Sequence, residues 1–414
     1  MHGRRAPFPR GPPETTPETG KETNVGKRVM ICGAVRTPIG KFQGGLASLG
    51  APQLGAHTVK ALLERTGLDP ALLDEVIMGN VVQAGLHQNP ARQAAIFGGV
   101  PAAVSAMTVN KVCGSGLKSV ALAAQAIRAG DAACVLAGGF ESMSNIPYAL
   151  PKARDGYRLG DGKIVDLLVH DGLWDVYNDY HMGLTAEWVV DNHGVSREDQ
   201  DAFAAESHRR AVAATEAGAF QREIAPVEVP RRKQDPLLVD RDEGPRGDTT
   251  ADGLAKLRPV FRRDGGSVTA GNASSINDGA AALLVCDEEF ARAHGLEMRA
   301  EVLAYGTGAV EPNEVMMAPV TAVGRLLERT GTSIGDYDLV EVNEAFSAQA
   351  VAVTRELGLD PEKTNVRGGG ISLGHPIGAS GARILVTLLH ALEDLDREQG
   401  LATLCLGGGD AVAL

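Results

Sequence analysis

Cys113 is the residue of this sequence whose surroundings most favour chemistry. It follows a short extended segment, and a Gly-Ser-Gly turn at 114–116 leads into a stretch where apolar residues recur at helical spacing. We therefore expect the cysteine where a strand gives way to a helix, a place that favours a thiolate. A free cysteine is ordinarily a small buried core residue. The flanking glycines argue against that role, because they let another molecule approach the sulfur closely.

A helix end cannot ionise this thiol alone. It contributes about 1 kcal/mol, whereas one pKa unit corresponds to ~1.4 kcal/mol, so much of the thiol stays protonated at neutral pH. A cationic imidazole would complete the shift. The candidate is His375, held in the turn Gly-His-Pro-Ile-Gly-Ala-Ser-Gly at 374–381. We expect Cys113 to be activated by a positively charged His375.

An internal repeat indicates how these distant residues meet. The segment Leu-Leu-Glu-Arg-Thr-Gly at 62–67 recurs at 326–331. Each copy is followed by an apolar strand candidate, and these candidates end at Asn80 and Asn343. The chain is therefore interpreted as two related halves.

The repeat also aligns the candidate chemical residues. A shift of about 263 residues lays the helix start at Cys113 over the turn at 374–381, and it brings the Gly138-Gly139 turn close to the glycines at 407–409. If the halves pack about a pseudo-twofold axis, the ends of equivalent strands converge on one site. The residues expected there are Cys113, Asn343, His375 and Cys405.

The elements that must position this site follow an α/β pattern, since short apolar runs alternate with amphipathic stretches. Predicted strands cover 29–34, 75–82 and 133–137, and a predicted helix covers 53–65. We divide the chain into four parts: a disordered tail at 1–27, a first half at 28–144, an inserted segment at 145–271 that is rich in charge and proline, and a second half at 272–414 whose first part is a candidate to complete the first half.

Composition narrows the function classes. The net charge of -12 argues against nucleic acid or an anionic membrane as a partner. The five cysteines are far apart and lack metal-ligand spacing, which favours free thiols in a reducing cytoplasm over a disulfide framework or a metal site. No apolar run reaches the ~18 residues of a membrane span. We expect a cytoplasmic protein that acts on a small molecule.

Six motifs in order make the sequence resemble the thiolase family, and within it the short-chain acetyl-CoA acetyltransferases. The resemblance covers essentially all of 28–414. The motifs are Asn-Lys-Val-Cys-Gly-Ser-Gly at 110–116, Gly-Gly-Phe-Glu-Ser-Met-Ser at 138–144, Thr-Ala-Gly-Asn-Ala-Ser at 269–274, Asn-Glu-Ala-Phe at 343–346, Gly-His-Pro-Ile-Gly-Ala-Ser-Gly at 374–381 and Cys-Leu-Gly-Gly-Gly at 405–409.

The resemblance implies a fold and a reaction. The fold is a duplicated five-layer αβαβα arrangement of two similar halves, with an inserted loop domain that binds coenzyme A. The reaction is a reversible Claisen condensation of two acetyl-CoA to acetoacetyl-CoA and CoA. It needs no metal and no cofactor, because coenzyme A thioesters are themselves the substrates. Family members commonly form homodimers or tetramers.

The resemblance also assigns roles to matching residues. Cys113 is the nucleophile that carries the acyl group, and His375 activates it. With a water held by Asn343, His375 also lines an oxyanion hole. Cys405 removes the α-proton of the second acetyl-CoA. The backbone N–H groups of Cys113 and Gly407 form the other oxyanion hole.

The resemblance further implies contacts with coenzyme A. Three residues of the inserted segment lie near the pantetheine: Leu173, His181 and Met182. Arg246 lies near the nucleotide, and Ser274 meets the pantetheine amide. Met316 narrows the acyl pocket, although the run Val-Met-Met-Ala-Pro at 315–319 departs from a family pattern that commonly contains glycine. Asp410-Ala411 is a second departure, because a glycine usually follows one residue after the Gly triplet.

Three alternatives remain open at this stage: a degradative 3-ketoacyl-CoA thiolase for longer chains, a non-catalytic relative that binds acyl-CoA or lipid, and a Cys-His-Asn hydrolase. The hydrolase explains neither the repeat nor the second thiol. Ketoacyl synthases are disfavoured because they use histidine or asparagine where this chain has Cys405.

Overall fold

The computed structural model describes residues 26–414, so nearly all of the tail predicted at 1–27 lies outside the described residues. Within that range no helix is long and apolar enough to cross a membrane. The helices are α1 Ala51–Thr66, α2 Pro90–Phe97, α3 Ser115–Ala129, α4 Leu167–Gly172, α5 Met182–His193, α6 Arg197–Glu216, α7 Ala251–Leu254, α8 Glu288–Ala293, α9 Ala318–Thr330, α10 Ser347–Leu357 and α11 Ile377–Asp394.

The strands form two main sheets and three short hairpins. They are β1 Val29–Arg36, β2 Gly40–Lys41, β3 Glu75–Gly79, β4 Ser105–Val109, β5 Cys134–Ser142, β6 Tyr148–Ala149, β7 Val165–Asp166, β8 Trp174–Asp175, β9 Tyr180–His181, β10 Val227–Val229, β11 Leu237–Val239, β12 Asn277–Asp287, β13 Ala300–Glu301, β14 Gly306–Ala309, β15 Leu339–Val342, β16 Gly400–Leu406 and β17 Asp410–Ala413.

The first sheet runs in the order β13-β1-β12-β5-β3-β4, with β2 paired to β12. Its central strand β12 comes late in the sequence and pairs antiparallel with both β1 and β5. The second sheet runs in the order β14-β17-β16-β15. Both faces of each sheet are covered by helices, which is why buried strands such as β12 are apolar throughout rather than alternating.

Helices α3 and α11 lie side by side between the two sheets, and α11 contacts strands of both. Helices α1 and α2 cover the outer face of the first sheet, while α9 and α10 cover the second sheet. These are the five layers that the sequence predicted. Because α11 is enclosed on every side, all of its first fifteen residues are buried.

The predicted elements are present, with differences at their ends. The strand predicted at 29–34 extends to Arg36, and the helix predicted at 53–65 begins at Ala51. The strand predicted at 75–82 ends at Gly79, because the next backbone N–H groups turn to the buried carboxylate of Glu141.

The turn predicted at Gly138-Gly139 is wrong, because both glycines lie inside β5. Because they have no side chains, they allow neighbouring backbone to approach β5 closely, and they do not form a turn. A Cβ at Gly138 would lie 2.2 Å from the carbonyl oxygen of Ala281, and one at Gly139 would lie 2.1 Å from that of Gly378. The glycines therefore let β5 pack against β12 and against the start of α11.

Arg36 ties the inserted segment to the first half. Its wholly buried guanidinium donates to the Glu223 carboxylate at 2.6 Å and to both oxygens of Asp242, at 2.7 and 2.8 Å. The two carboxylates belong to the inserted segment, so the insertion is anchored by buried, bidentate charge pairing.

We expect Arg36→Met to reduce the free energy of unfolding by about 3–5 kcal/mol, because it leaves two buried carboxylates without their cation. Arg28→Met is the matched control. Its guanidinium is half exposed and also pairs with two carboxylates, so we expect a much smaller loss than for Arg36→Met. Urea unfolding at one protein concentration measures both, and equal losses would contradict the prediction.

Candidate active site

A cavity of about 630 Å³ lies between the two halves and the inserted segment. It gathers residues from many distant stretches of sequence, in both halves and in the inserted segment. The predicted site residues that line it are Cys113, Leu173, His181, Met182, Arg246, Ser274, Met316, His375, Cys405 and Gly407. Asn343 does not line the cavity, but it lies directly behind His375.

Cys113 stands between β4 and α3, as the sequence predicted. The preceding residue, Val112, has a φ of 45°, an uncommon conformation for a β-branched residue and therefore a strained one. The Ser115 hydroxyl stabilises this turn, since it accepts the Lys111 N–H at 2.8 Å and donates to the Val112 carbonyl at 2.6 Å. The turn presents a partly buried Cys113 to the cavity.

The Cys113 thiol is protonated at neutral pH. Burial raises its pKa to about 12, and the negative charge of Glu141 adds to the effect. Hydrogen bonds from the backbone N–H groups of Gly407 and of Cys113 itself act in the opposite direction but do not outweigh burial. The sulfur thus already lies within reach of the N–H groups predicted to form an oxyanion hole.

His375 is buried, and its hydrogen bonds define its tautomer. Its Nδ1 lies 2.6 Å from the Ser380 hydroxyl, which in turn donates to the Pro376 carbonyl at 2.9 Å. Because that hydroxyl is directed at the Pro376 carbonyl, we assign the hydrogen of the imidazole to Nδ1 and the lone pair to Nε2. The Asn343 side-chain amide lies 3.3 Å from the same Nδ1, and this tautomer requires its otherwise unpaired oxygen, not its NH2 group, to face the ring.

The pKa of His375 argues against the positive charge expected on it in the resting site. Burial lowers the pKa of His375 to about 3, and the nearby positive charge of Arg383 lowers it further. A neutral imidazole and a neutral thiol therefore line the same cavity. The prediction from the sequence rested on the helix end and on the partner residue. Burial, which has the larger effect on the pKa of both groups, is not visible in the sequence. This pair can ionise only by passing a proton from sulfur to nitrogen.

Cys405 ends up on β16 with its sulfur 3.9 Å from the Met316 sulfur. Burial raises the pKa of this thiol, and negative charge on Cys113 raises it further. The two thiols are therefore coupled, because ionising one disfavours ionising the other. They can act in succession but not both as anions.

Glu141 belongs to the motif at 138–144 and has a structural role that was not predicted from the sequence. Its wholly buried carboxylate accepts four hydrogen bonds: from the Asn80 side chain, from the backbone of Val81 and Val82, and from the Gly378 N–H at the start of α11. Burial raises the pKa of Glu141 to about 7, and these four donors oppose the rise. The carboxylate joins loops of both halves beneath the site.

Two phenylalanines of the cavity that had no predicted role form an aromatic cluster with His181. Phe261 stacks on the His181 ring, with centroids 4.8 Å apart, and Phe346 meets Phe261 edge-on at 6.1 Å. Phe346 is the last residue of the motif Asn-Glu-Ala-Phe at 343–346. Phe261 gave no sequence signal, because it lies in an irregular part of the inserted segment. Its ring requires glycine at Gly183, where a Cβ would lie 2.3 Å from it.

The remaining predicted ligand contacts lie along the cavity. The His181 Nδ1 accepts the Gly183 N–H at 3.0 Å, and burial lowers the pKa of His181. Arg246 is held by its backbone N–H, which donates to the buried His208 Nδ1 at 3.2 Å. No group of three or more His, Cys, Asp or Glu side chains within 26–414 is arranged to hold a metal ion.

Comparisons with known proteins agree on one family. The family model described as "Thiolase, N-terminal domain" matches residues 29–289, and "Thiolase, C-terminal domain" matches residues 296–414. The first match includes β12, the central strand of the first sheet.

Individual relatives are similar over nearly their whole length. "Acetyl-CoA acetyltransferase" of Pseudomonas aeruginosa is 56% identical and covers 93% of this chain and 98% of the relative. The Escherichia coli protein of the same name is 55% identical and covers 94% and 98%. The crystal structure of the Bacillus anthracis acetyl-CoA acetyltransferase is 43% identical, with a TM-score of 0.92 over 95% of this chain and 99% of that chain.

The neutral state of the Cys113–His375 pair predicts a particular pH dependence for alkylation. Between pH 6 and 10 the rate at which iodoacetamide modifies Cys113 should rise about tenfold per pH unit, because the thiolate fraction grows that fast below the thiol pKa. Mass spectrometry of the Cys113 peptide measures the rate. A plateau from about pH 7 upward would instead show a preformed thiolate–imidazolium pair and contradict the prediction.

Proposed function

The chain belongs to the thiolase family, and we propose on that premise that it is an acetyl-CoA C-acetyltransferase. It condenses two acetyl-CoA to acetoacetyl-CoA and CoA, and it catalyses the reverse thiolysis. The observation that carries this proposal is a single cavity lined by two thiols and a buried neutral imidazole. A Claisen condensation needs an acyl carrier, a base and sites for oxyanion charge, and this arrangement supplies candidates for each.

In the proposed first step, the Cys113 sulfur attacks the acetyl-CoA carbonyl while its proton passes to the free Nε2 of His375. The resulting thiolate charge is transient, which suits a group whose pKa is raised. The carbonyl oxygen becomes an oxyanion, and we assign its stabilisation to the Cys113 and Gly407 N–H groups. The sulfur–carbon bond to coenzyme A then breaks.

We assign the proton that the departing coenzyme A thiolate needs to Cys405. This thiol is protonated at rest because burial raises its pKa, so it can serve as the acid. After the transfer, Cys113 is acetylated, Cys405 is a thiolate and His375 keeps its proton. The two charges compensate each other within the buried site, and coenzyme A leaves as a neutral thiol.

In the second step, the Cys405 thiolate removes an α-proton from a second acetyl-CoA. A thiolate of raised pKa is a correspondingly strong base. The protonated His375 and a water held by Asn343 are the candidates to stabilise the enolate oxygen. The enolate carbon attacks the acetyl-Cys113 carbonyl, the carbon–sulfur bond breaks, and the proton on His375 returns to Cys113.

The binding of coenzyme A is proposed along the cavity wall. The apolar surfaces of Leu173, Met182 and the His181–Phe261 stack suit the pantetheine arm, and Ser274 offers a hydroxyl for its amide. Arg246 supplies the positive charge that an acidic protein needs to meet phosphates. We further propose that the enzyme works in the cytoplasm as a homo-oligomer, with no metal, cofactor, nucleic acid or membrane partner.

Met316 supports the short acyl chain over the longer-chain 3-ketoacyl-CoA thiolase. It is buried, lines the cavity and lies against the Cys405 sulfur, so it takes up space where a longer acyl chain would extend.

Separate variants of the two thiols test the division of labour. With radiolabelled acetyl-CoA, Cys405→Ala should still label Cys113, although acetoacetyl-CoA formation and deuterium exchange at the acetyl methyl group should be lost. Cys113→Ala should take up no label. The buried Cys134→Ala is the matched control and should retain label and turnover. Retained methyl exchange in Cys405→Ala would remove Cys405 from the role of base.

Met316→Ala should widen the acyl pocket. We expect the ratio of kcat/KM for a six-carbon 3-ketoacyl-CoA to that for acetoacetyl-CoA to rise about tenfold, since each methylene accommodated is worth ~1–3 kcal/mol. Met317→Ala is the matched control, because Met317 is also buried but does not line the cavity. An unchanged ratio in Met316→Ala would show that other residues set the chain length.

A further inference from the structure

A salt bridge joins the segment that carries Cys113 to the residue that follows the Gly407–Gly409 turn after Cys405. Lys111 lies two residues before Cys113, and its Nζ contacts the Asp410 carboxylate from the other half of the chain. Asp410 directly follows the Gly407–Gly409 turn and begins β17. Among residues 26–414 it is the one salt bridge between the segments 110–116 and 405–411.

The carboxylate is held in a fixed orientation. One oxygen of Asp410 accepts the N–H of Ala411 at 2.7 Å, and the other oxygen meets Lys111. Lys111 is also anchored, because its backbone N–H donates to the Ser115 hydroxyl. Both ends of the bridge are therefore attached to ordered backbone.

The bridge spans a contact that the reaction depends on. On one side, Lys111 leads through the strained Val112 to Cys113; on the other, the Gly407 N–H faces the Cys113 sulfur. Val112 packs close to Gly407, where an added Cβ would lie 3.3 Å from the valine side chain. A change in the Lys111–Asp410 contact would shift both sides of this sulfur–amide contact.

Neither residue of the bridge lines the cavity, so neither touches substrate. The side chains are 23% and 30% exposed, which leaves the pair only partly screened by solvent. Lys118 lies close enough to feel both charges, and its pKa is lowered by burial and by Lys111. The single carboxylate of Asp410 therefore interacts with two lysines, Lys111 and Lys118.

We propose that Lys111 and Asp410 are positioning residues that hold the Cys113 loop against the Gly407 turn, so that the Gly407 N–H reaches the reacting sulfur and its thioester oxygen. The proposal rests on the acetyltransferase function proposed above. A bridge between two halves is suited to this task, because a misplacement of about 1 Å at a reacting centre can cost on the order of a hundredfold in rate.

The test uses a double variant that removes the bridge without changing the net charge. Lys111→Met/Asp410→Asn should lower kcat for thiolysis of acetoacetyl-CoA about tenfold and leave KM for CoA within about twofold. The reason is that the oxyanion hole formed by the Cys113 and Gly407 N–H groups stabilises the transition state and not bound CoA. The reversed pair Lys111→Asp/Asp410→Lys should recover most of kcat. Lys60→Met/Glu64→Gln, which removes an exposed pair on α1, is the matched control and should match wild type.

A double variant with wild-type kcat would overturn the proposal. The proposal would also be overturned if the reversed pair had the wild-type melting temperature but the same low kcat as the double variant. If the wild-type protein itself shows no thiolysis, the proposed function fails. The positioning role of Lys111 and Asp410 is then tested by the alkylation rate of Cys113 alone. Iodoacetamide should modify Cys113 about threefold more slowly in the double variant, because the thiolate loses the Gly407 hydrogen bond. An unchanged alkylation rate would then overturn the proposal.

Discussion

The burial of His375 at the start of α11 is the constraint on which the site depends. Two sheets and helix α3 enclose α11, so the imidazole is removed from water and rests neutral. Its Nδ1 hydrogen is committed to Ser380, which leaves Nε2 as the only nitrogen able to receive a proton. The same burial keeps Cys113 and Cys405 protonated. Chemistry at such a site must proceed by proton transfers among neutral groups, in a definite order.

The five-layer fold creates this burial through close packing of the two halves. Helices α3 and α11 meet where each has a glycine. A Cβ on Gly116 would lie 2.7 Å from the Ala382 nitrogen, and one on Gly381 would lie 2.4 Å from the Leu117 nitrogen. Glu141 then joins the loops beneath the site with four hydrogen bonds. Duplication explains why the cavity draws its thiols from opposite halves, and the inserted segment supplies the wall along which we propose that coenzyme A binds.

Much of this could be predicted from sequence, because local patterns and the repeat carry topological information. The repeat and its motifs placed Cys113, His375 and Cys405 together although they are hundreds of residues apart. The sequence failed where the outcome depends on packing. The Gly138-Gly139 pair looks like a turn locally, yet its role is to let strands and a helix approach. The charge of His375 and the position of Phe261 likewise depend on burial, which no local pattern reveals.

The central claim is that the resting site holds a neutral thiol beside a neutral imidazole, with the proton on Nδ1. Neutron diffraction from crystals of the unliganded enzyme exchanged into deuterated buffer at pH 7 tests this directly, since it locates the deuterons. The account predicts a deuteron on the Cys113 sulfur and on the His375 Nδ1, and none on Nε2. A bare Cys113 sulfur next to a deuterated Nε2 would contradict it.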